Sequence, residues 1–331
     1  MNYTLRADGG YAIFKSMKST LHNKTLRGML CALLGGILWG FSGTVGQYLF
    51  TYKAIDSQWL SSVRMLSAGV LLVAFAAIKN PSALKAVWRV PRDVARLAVF
   101  AILGLMTCQY TYLTAIAHAN SATATALQYL GLALILLVSC VRLRRLPTYK
   151  ENIALVLAII GIFLLATHGS LHQLVLSPQA LFWGLAAAVA LMLYTLLPGD
   201  LVARYGSVPM TGFAMLIGGG VLAVLTRVWT YSVQLDGGAL LGIAAIVLLG
   251  TAGSFTLYLQ GVSDIGAVRA SLLACIEPVS AALTMTLWLK TPIAPLDWLG
   301  FGLILLMAVL LTWPKRQKAA LAAPESKKDR V

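Results

Sequence analysis

Between Arg96 and Arg142 the chain carries no Asp, Glu, Lys or Arg. Wound as one α-helix, that stretch would run about 68 Å at 1.5 Å per residue. This is about twice the ~30 Å hydrocarbon core of a bilayer. The stretch therefore has to fold as two membrane spans. The break falls at His118-Ala119-Asn120-Ser121, where turn and helix-capping residues cluster. The whole chain reads the same way. It is 59% hydrophobic and only 11% charged, against roughly 45–50% and 25% in a soluble domain. A compact soluble fold cannot hide that much apolar surface, whereas a bilayer can.

The same rule divides the rest of the sequence. The first span runs from Gly28 to Phe50 and the second from Ser57 to Ile78, interrupted by Arg64. Asn152 to Gly199 is again uncharged and splits at Gly169–Pro178, with Pro198-Gly199-Asp200 closing the sixth span. The seventh is Val208–Thr226, the eighth Ala239–Gly261, the ninth Gly266–Leu289 and the tenth Leu296–Pro314. The expected fold is all-α and integral to the membrane, with ten transmembrane helices.

The formal net charge is +15. These charges sit between apolar runs and at the two ends, not on one face, which argues for anionic lipid at basic cytoplasmic loops and against nucleic acid. With both termini placed in the cytoplasm, only Lys53, Arg227 and Lys290 fall on the outer side, and only Arg64 and Arg269 within spans. All the other basic residues of the 26 then lie inside. That asymmetry fixes the expected orientation and requires an even number of spans. Residues 1–27 lack the apolar core of a cleavable signal peptide. They are expected to be a basic cytoplasmic tail, with residues 315–331 a charged one.

A weak internal repeat divides the chain into 28–168 and 179–314. Aligning the halves superposes Gly104 on Gly250, Tyr112-Leu113 on Tyr258-Leu259, Ala124 on Ala270 and Leu127 on Leu273. Two five-helix halves of opposite orientation place a ligand site at mid-membrane between them.

Chemistry is sparse. Cys31, Cys108, Cys140 and Cys275 lie singly in apolar runs, with no spacing that suits a metal. His22, His118, His168 and His172 read as solvated loop or tail residues. No nucleotide-binding loop, no metalloprotease or hydrolase motif, and no reactive grouping at one membrane depth is visible. An enzyme is not expected, and no cofactor is called for.

Glu277 is the most informative residue. It lies about eleven residues into the ninth span, about 16 Å deep by helix rise. An ionised carboxylate is costly there, so Glu277 must be protonated or paired. Pro278 follows it and frees a backbone carbonyl one turn earlier. Two readings stand side by side. Glu277 is a substrate-amine ligand or proton carrier, or it is a structural carboxyl bonding the backbone freed at the proline. Arg64 reads as a packing or substrate-carboxylate residue. Arg269 reads as an anchor with Asp264 as its local partner.

Polar stripes mark helix faces that must meet protein or water rather than lipid. Gln109 and Tyr112 form one in span three; Ser121, Thr125 and Gln128 one in span four; Thr251, Ser254 and Tyr258 one in span eight. Trp39, Tyr129 and Tyr194 can line the same interior. Trp59, Trp88, Trp229, Trp298 and Trp313 fall near span ends and read as interfacial. Gly35, Gly36, Gly40, Gly43 and Gly46 in span one, and Gly218-Gly219-Gly220 in span seven, allow close helix approach or bending.

Several stretches together resemble the EamA family of the drug/metabolite transporter superfamily. They are Leu38-Trp39-Gly40-Phe41-Ser42-Gly43, Arg64, and Asn120 to Thr125 leading to Leu127-Gln128-Tyr129. Leu164 to Gly169, Tyr194 to Pro198 and Ala270 to Pro278 also match. The resemblance implies two inverted five-helix repeats in a bacterial plasma membrane. It implies a secondary transporter, often an exporter, of a small metabolite such as an amino acid. It also implies a central cavity that includes Trp39, Gln128, Tyr194 and Glu277. Alternating access between the halves, coupling to protons through Glu277 and a monomer or homodimer are further expectations. The alternative class is a non-transporting sensor or assembly subunit. The chain departs from the family at Gly131-Leu132, where a proline is common, and near Phe213, where a tryptophan is. The missing proline predicts a first half that bends less sharply than the second.

Overall fold

The computed structural model describes residues 8–79, 81–170, 175–198 and 201–312. Among them, ten helices are long and apolar enough to cross a membrane. Helix α1 spans Asp8–Lys53, with Lys24–Lys53 as its membrane part. The others are α2 (Ser57–Lys79), α3 (Pro91–His118), α4 (Ser121–Arg142), α5 (Tyr149–Thr167) and α6 (Pro178–Leu196). Then come α7 (Ser207–Leu225), α8 (Gly237–Ile265), α9 (Arg269–Trp288) and α10 (Pro295–Thr312). Two short helices, Pro81–Val87 and Leu201–Tyr205, lie in connections. The span count agrees with the sequence. The first helix continues beyond its membrane part, unbroken, back to Asp8.

Local chemistry sets the helix ends. Asn120 Oδ1 accepts the Thr123 N–H at 2.8 Å, which starts α4 where the sequence placed the break. Ser177, followed by Pro178, caps α6 and Asp236 caps α8. Thr148 and Glu151 form a reciprocal capping box at α5.

The helices pair across the two halves: α1 with α8, α2 with α7, α3 with α6, α4 with α9 and α5 with α10. Exchanging the halves maps this set of pairs onto itself. The irregularities correspond too. Helix α3 contains a π turn at Phe100–Met106 and α8 one at Leu248–Gly253, which bring the aligned Gly104 and Gly250 into equivalent positions. Helix α4 is interrupted at Leu130, whose N–H turns to Leu127 O; α9 is interrupted at Ile276, whose N–H turns to Leu273 O. Both halves are therefore broken at matching points, the first without the proline that the family commonly has at Gly131-Leu132. The α4 break is a tightened turn rather than a proline kink. Gly131 lets α6 approach so closely that a Cβ there would lie 2.6 Å from the Ala188 carbonyl.

Large apolar side chains such as Val156, Ile159, Phe182, Leu225 and Leu241 remain exposed on the outer surface, as lipid-facing helices require. Trp88, Trp229 and Trp298 are exposed close to helix ends; Trp313 lies outside the described residues. Ion pairs tie the halves at both ends of the bundle. Arg27 pairs with Asp264, and the buried Asp93 with Arg204 and Tyr205, at the end that carries the termini. Lys53–Asp236 and His168–Asp297 lie at the opposite end. Arg27 thus takes Asp264, the partner expected for Arg269. His168 is likewise not a free loop histidine: its Nε2 lies 2.8 Å from Asp297 Oδ1. Both pairings join residues far apart in sequence, so local spacing could not reveal them.

Candidate functional site

The two helix breaks meet near the middle of the bundle. Tyr129, the last residue before the α4 break, points its hydroxyl at the α9 break. It lies 3.3 Å from the Ala274 carbonyl and 3.2 Å from Glu277 Oε2. Pro278 has no N–H to offer the carbonyl four residues back, which is that of Ala274. The orphan left by the proline is therefore served by Tyr129 of the other half, and not by Glu277. Glu277 Oε1 accepts no hydrogen bond from any described residue. The side chain sits deep among protein atoms yet keeps accessible surface. A tyrosine hydroxyl has one proton to give. Donation to Glu277 leaves the Ala274 carbonyl waiting; donation to Ala274 lets a protonated Glu277 donate in turn to Tyr129.

Arg64 of α2 is 5% exposed and donates through Nε to Thr251 Oγ1 at 3.0 Å, with an Nη2 contact to the Gly250 carbonyl at 3.5 Å. It thereby plugs the π turn of α8. No described ion pair joins it to Glu277, but the two lie within electrostatic range, as do Tyr112 and Cys108. Such a buried guanidinium is held by its fork geometry and retains N–H groups for an anionic group.

Around this pair the other candidates divide. Tyr112 is buried, with its hydroxyl 2.9 Å from Thr125 Oγ1. Gln128 is buried and donates to Cys108 Sγ at 3.5 Å. Trp39 and Tyr258 are half-buried and pack at 5.1 Å, with Phe255 edge-on to Trp39 at 5.3 Å. Tyr194 stacks on Phe100 at 5.7 Å and lies within electrostatic range of Cys108 and Tyr258. Gln109 is half-buried, and its Nε2 is buried without a described partner. Apart from Gln109, these residues form one neighbourhood. Ser254 does not present its hydroxyl to it: the side chain is fully buried and donates to its own helix at the Gly250 carbonyl, 2.8 Å away. Arg269 is exposed at the near end of α9 and is separate from the group. Pro278 is buried in the first turn of the Glu277–Trp288 segment.

Glycines bring α1 into this space. A Cβ on Gly40 would lie 2.4 Å from the Glu277 carbonyl and 2.7 Å from Ser280 Cβ. A Cβ on Gly250 would lie 2.0 Å from Ser42 Oγ. The hydroxyls that share a helix face with Glu277 are engaged: Ser280 donates to Ile37 O at 2.9 Å, and Thr284 to Ser280 O.

Sequence reasoning missed Thr44 and Gln47. Thr44 Oγ1 lies 3.3 Å from both Ser121 Oγ and the Ala281 carbonyl. Gln47 accepts from Ser121 N–H at 2.9 Å and donates to Thr291 Oγ1 at 3.2 Å. The signal was present, since both stand within the apolar first span and follow Gly40 by four and seven residues, on its face. Among the described residues no group of His, Cys, Asp and Glu could hold a metal ion.

Comparison with known proteins fits this architecture. The EamA-like transporter family profile matches twice, over residues 26–167 and 178–313. The chain is 36% identical over 298 residues to the Salmonella typhimurium protein named uncharacterized inner membrane transporter YicL, covering 90% of this chain and 99% of that one. It is 26% identical to the uncharacterized transporter YwfM of Bacillus subtilis, over 89% of this chain and 97% of the other. A solved crystal structure is similar with a TM-score of 0.57 at 22% identity, covering 88% of this chain and 97% of that one; it supports the fold alone. Ten apolar helices, a twice-matched family profile and an inner-membrane relative along nearly the whole length converge. This chain is a multi-pass inner-membrane transporter belonging to the EamA-like transporter family.

Proposed function

We propose that the protein is a secondary transporter, working as an exporter of a small metabolite such as an amino acid or a related compound. Its two halves are inverted repeats, both termini are cytoplasmic, and alternating access runs through a cavity between the halves. The self-mapping helix pairs and the matched breaks support the two-fold arrangement. The excess of basic residues on the terminal side supports the orientation. The neighbourhood of Glu277, Arg64, Tyr129, Trp39, Tyr194 and Tyr258 is the substrate site in this reading. It offers an acid, a guanidinium and aromatic faces to a ligand that carries both charge and apolar surface.

One observation carries the proposal. Glu277 stands midway along α9 beside a proline break that it does not repair, with one carboxylate oxygen unengaged. A costly acid kept where structure does not need it serves a ligand or a proton. The test is flux of amino acids and related metabolites in proteoliposomes, with and without a pH gradient. Glu277→Gln should lower flux about tenfold or more, as loss of a charged hydrogen-bond partner does, and should flatten its pH dependence. Normal, still pH-dependent flux through Glu277→Gln would remove both roles of the acid.

A further inference from the structure

We propose that Gln47, assisted by Thr44, is a positioning residue that locks the end of the pathway opposite the termini. The inference rests on the proposed passage between the halves and adds a residue that controls entry to it.

Geometry carries the argument. Gly40 is level with Glu277, as its contact with the Glu277 carbonyl shows. Thr44 and Gln47 follow one and two turns later on the same face, about 6 and 10 Å along the axis. At that level α1 is ending, α4 begins with Ser121, and α9 has just finished before Thr291. The Gln47 amide joins all three. Its carbonyl takes the Ser121 N–H of the first half, and its NH2 donates to Thr291 of the second. Thr44 repeats the bridge one turn deeper, between Ser121 Oγ and the Ala281 carbonyl. Gln47 and Thr44 are both buried; their bonds to Ser121 and Ala281 are made away from water, where losing one is expensive, and the bond to Thr291 is partly buried.

The packing follows the bonds. The Ser121–Tyr129 segment of α4 packs on the Glu277–Trp288 segment of α9. Beyond the breaks the two helices no longer pack closely on each other, while α6 stays beside α4 and α1 beside α9. Gly131–Arg142 packs mainly on α6, and Ala267–Ala274 on α1 and α8. The broken helices are thus joined at the Gln47 end and part toward the other. A side chain that binds the first N–H of one and the hydroxyl just past the end of the other is placed to decide whether that end opens. A glutamine suits the task because one planar group supplies an acceptor and a donor together.

The experiment reads sided access rather than flux. Ser280, level with Gly40 and half-buried, is changed by Ser280→Cys in a full-length chain whose four native cysteines are replaced by alanine. A membrane-impermeant maleimide is applied to either face of sealed vesicles. In this background labelling should be faster from the face that carries the termini. Adding Gln47→Leu should raise the rate from the opposite face roughly tenfold or more, the population shift that follows loss of the two hydrogen bonds of the Gln47 amide. Gln47→Glu, which keeps the acceptor for Ser121 and lets the Thr291 hydroxyl donate in place of accepting, should restore most of the difference. Thr291→Val, which removes one partner with little change of shape, should act in the same direction as Gln47→Leu and serves if that variant fails to fold. An unchanged opposite-face rate in folded Gln47→Leu or Thr291→Val protein overturns the proposal. A changed rate without any metabolite flux would uphold the lock and sink the transport reading instead.

Discussion

The Tyr129 hydroxyl lies within hydrogen-bond distance of Glu277 Oε2 and of the Ala274 carbonyl, so one side chain of the first half closes the proline break of the second. Tyr129→Phe removes the only described partner of that carbonyl. It should cost about 1–3 kcal/mol, the desolvation penalty of an unsatisfied buried group. Glu277→Gln keeps a group that can accept from Tyr129 and should cost less. Unfolding of the two variants in detergent checks the order, and a larger loss for Glu277→Gln would reverse the assignment of roles.

Arg64 and Thr251 form a further link between the halves, where a guanidinium fills the π turn of α8. Arg64→Lys is not a conservative change, because an ammonium cannot reproduce the fork. A double-mutant cycle of Arg64→Lys and Thr251→Val should return a coupling of about 1.5–3 kcal/mol, the range for hydrogen bonds to charged groups. Additive effects would show that the contact contributes nothing.

Glycine contacts make a paired forecast. Gly40→Ala forces a methyl against the Glu277 carbonyl and the Ala281 amide, and should destabilise by about 1–3 kcal/mol, as overpacking does. Gly302 in α10 has nothing within 4 Å of a built Cβ. Gly302→Ala should be neutral or stabilise by up to about 1 kcal/mol through helix propensity. Melting temperatures of both variants in the same detergent decide the matter.

The Lys53–Asp236 pair at the far end gives a pH signature. The Lys53 ammonium, at 2.6 Å, and the Ala239 amide hold the Asp236 carboxyl below its ordinary range. A carboxyl depressed on folding lends stability above its unfolded value, near 3.9, and that stability is lost as pH falls through the folded value. Asp236→Asn should therefore flatten the acid limb of the stability profile below about pH 4. Asp236→Ala should lower stability further, because it also removes the cap on α8. Melting curves from pH 3 to 7, at low and high salt, test both.

Much of the fold was legible because burial in lipid is dictated by run length and charge alone. The α3–α4 break could be placed within a residue or two because Asn120 carries its own capping chemistry. Glu277 and Tyr129 stood out as polar groups in apolar spans. Their partnership did not, since it depends on how two broken helices cross. The interruption of α4 was hidden for a related reason: it arises from a tightened turn at Leu130 and close packing at Gly131, without a proline. Ser254 misled as a cavity residue because a polar stripe gives direction, not solvent contact. Its hydroxyl goes back to a carbonyl of the π turn, an irregularity with no local sequence mark beyond Gly250.

The π turns at Gly104 and Gly250 set the register of the helix segments that follow them. Each makes room for one residue more than an even α-helical ladder would hold. Deleting one residue from either turn would rotate the helix beyond it by about 100°, which would carry Tyr112 or Tyr258, one on each of those helices, off the face on which it now stands.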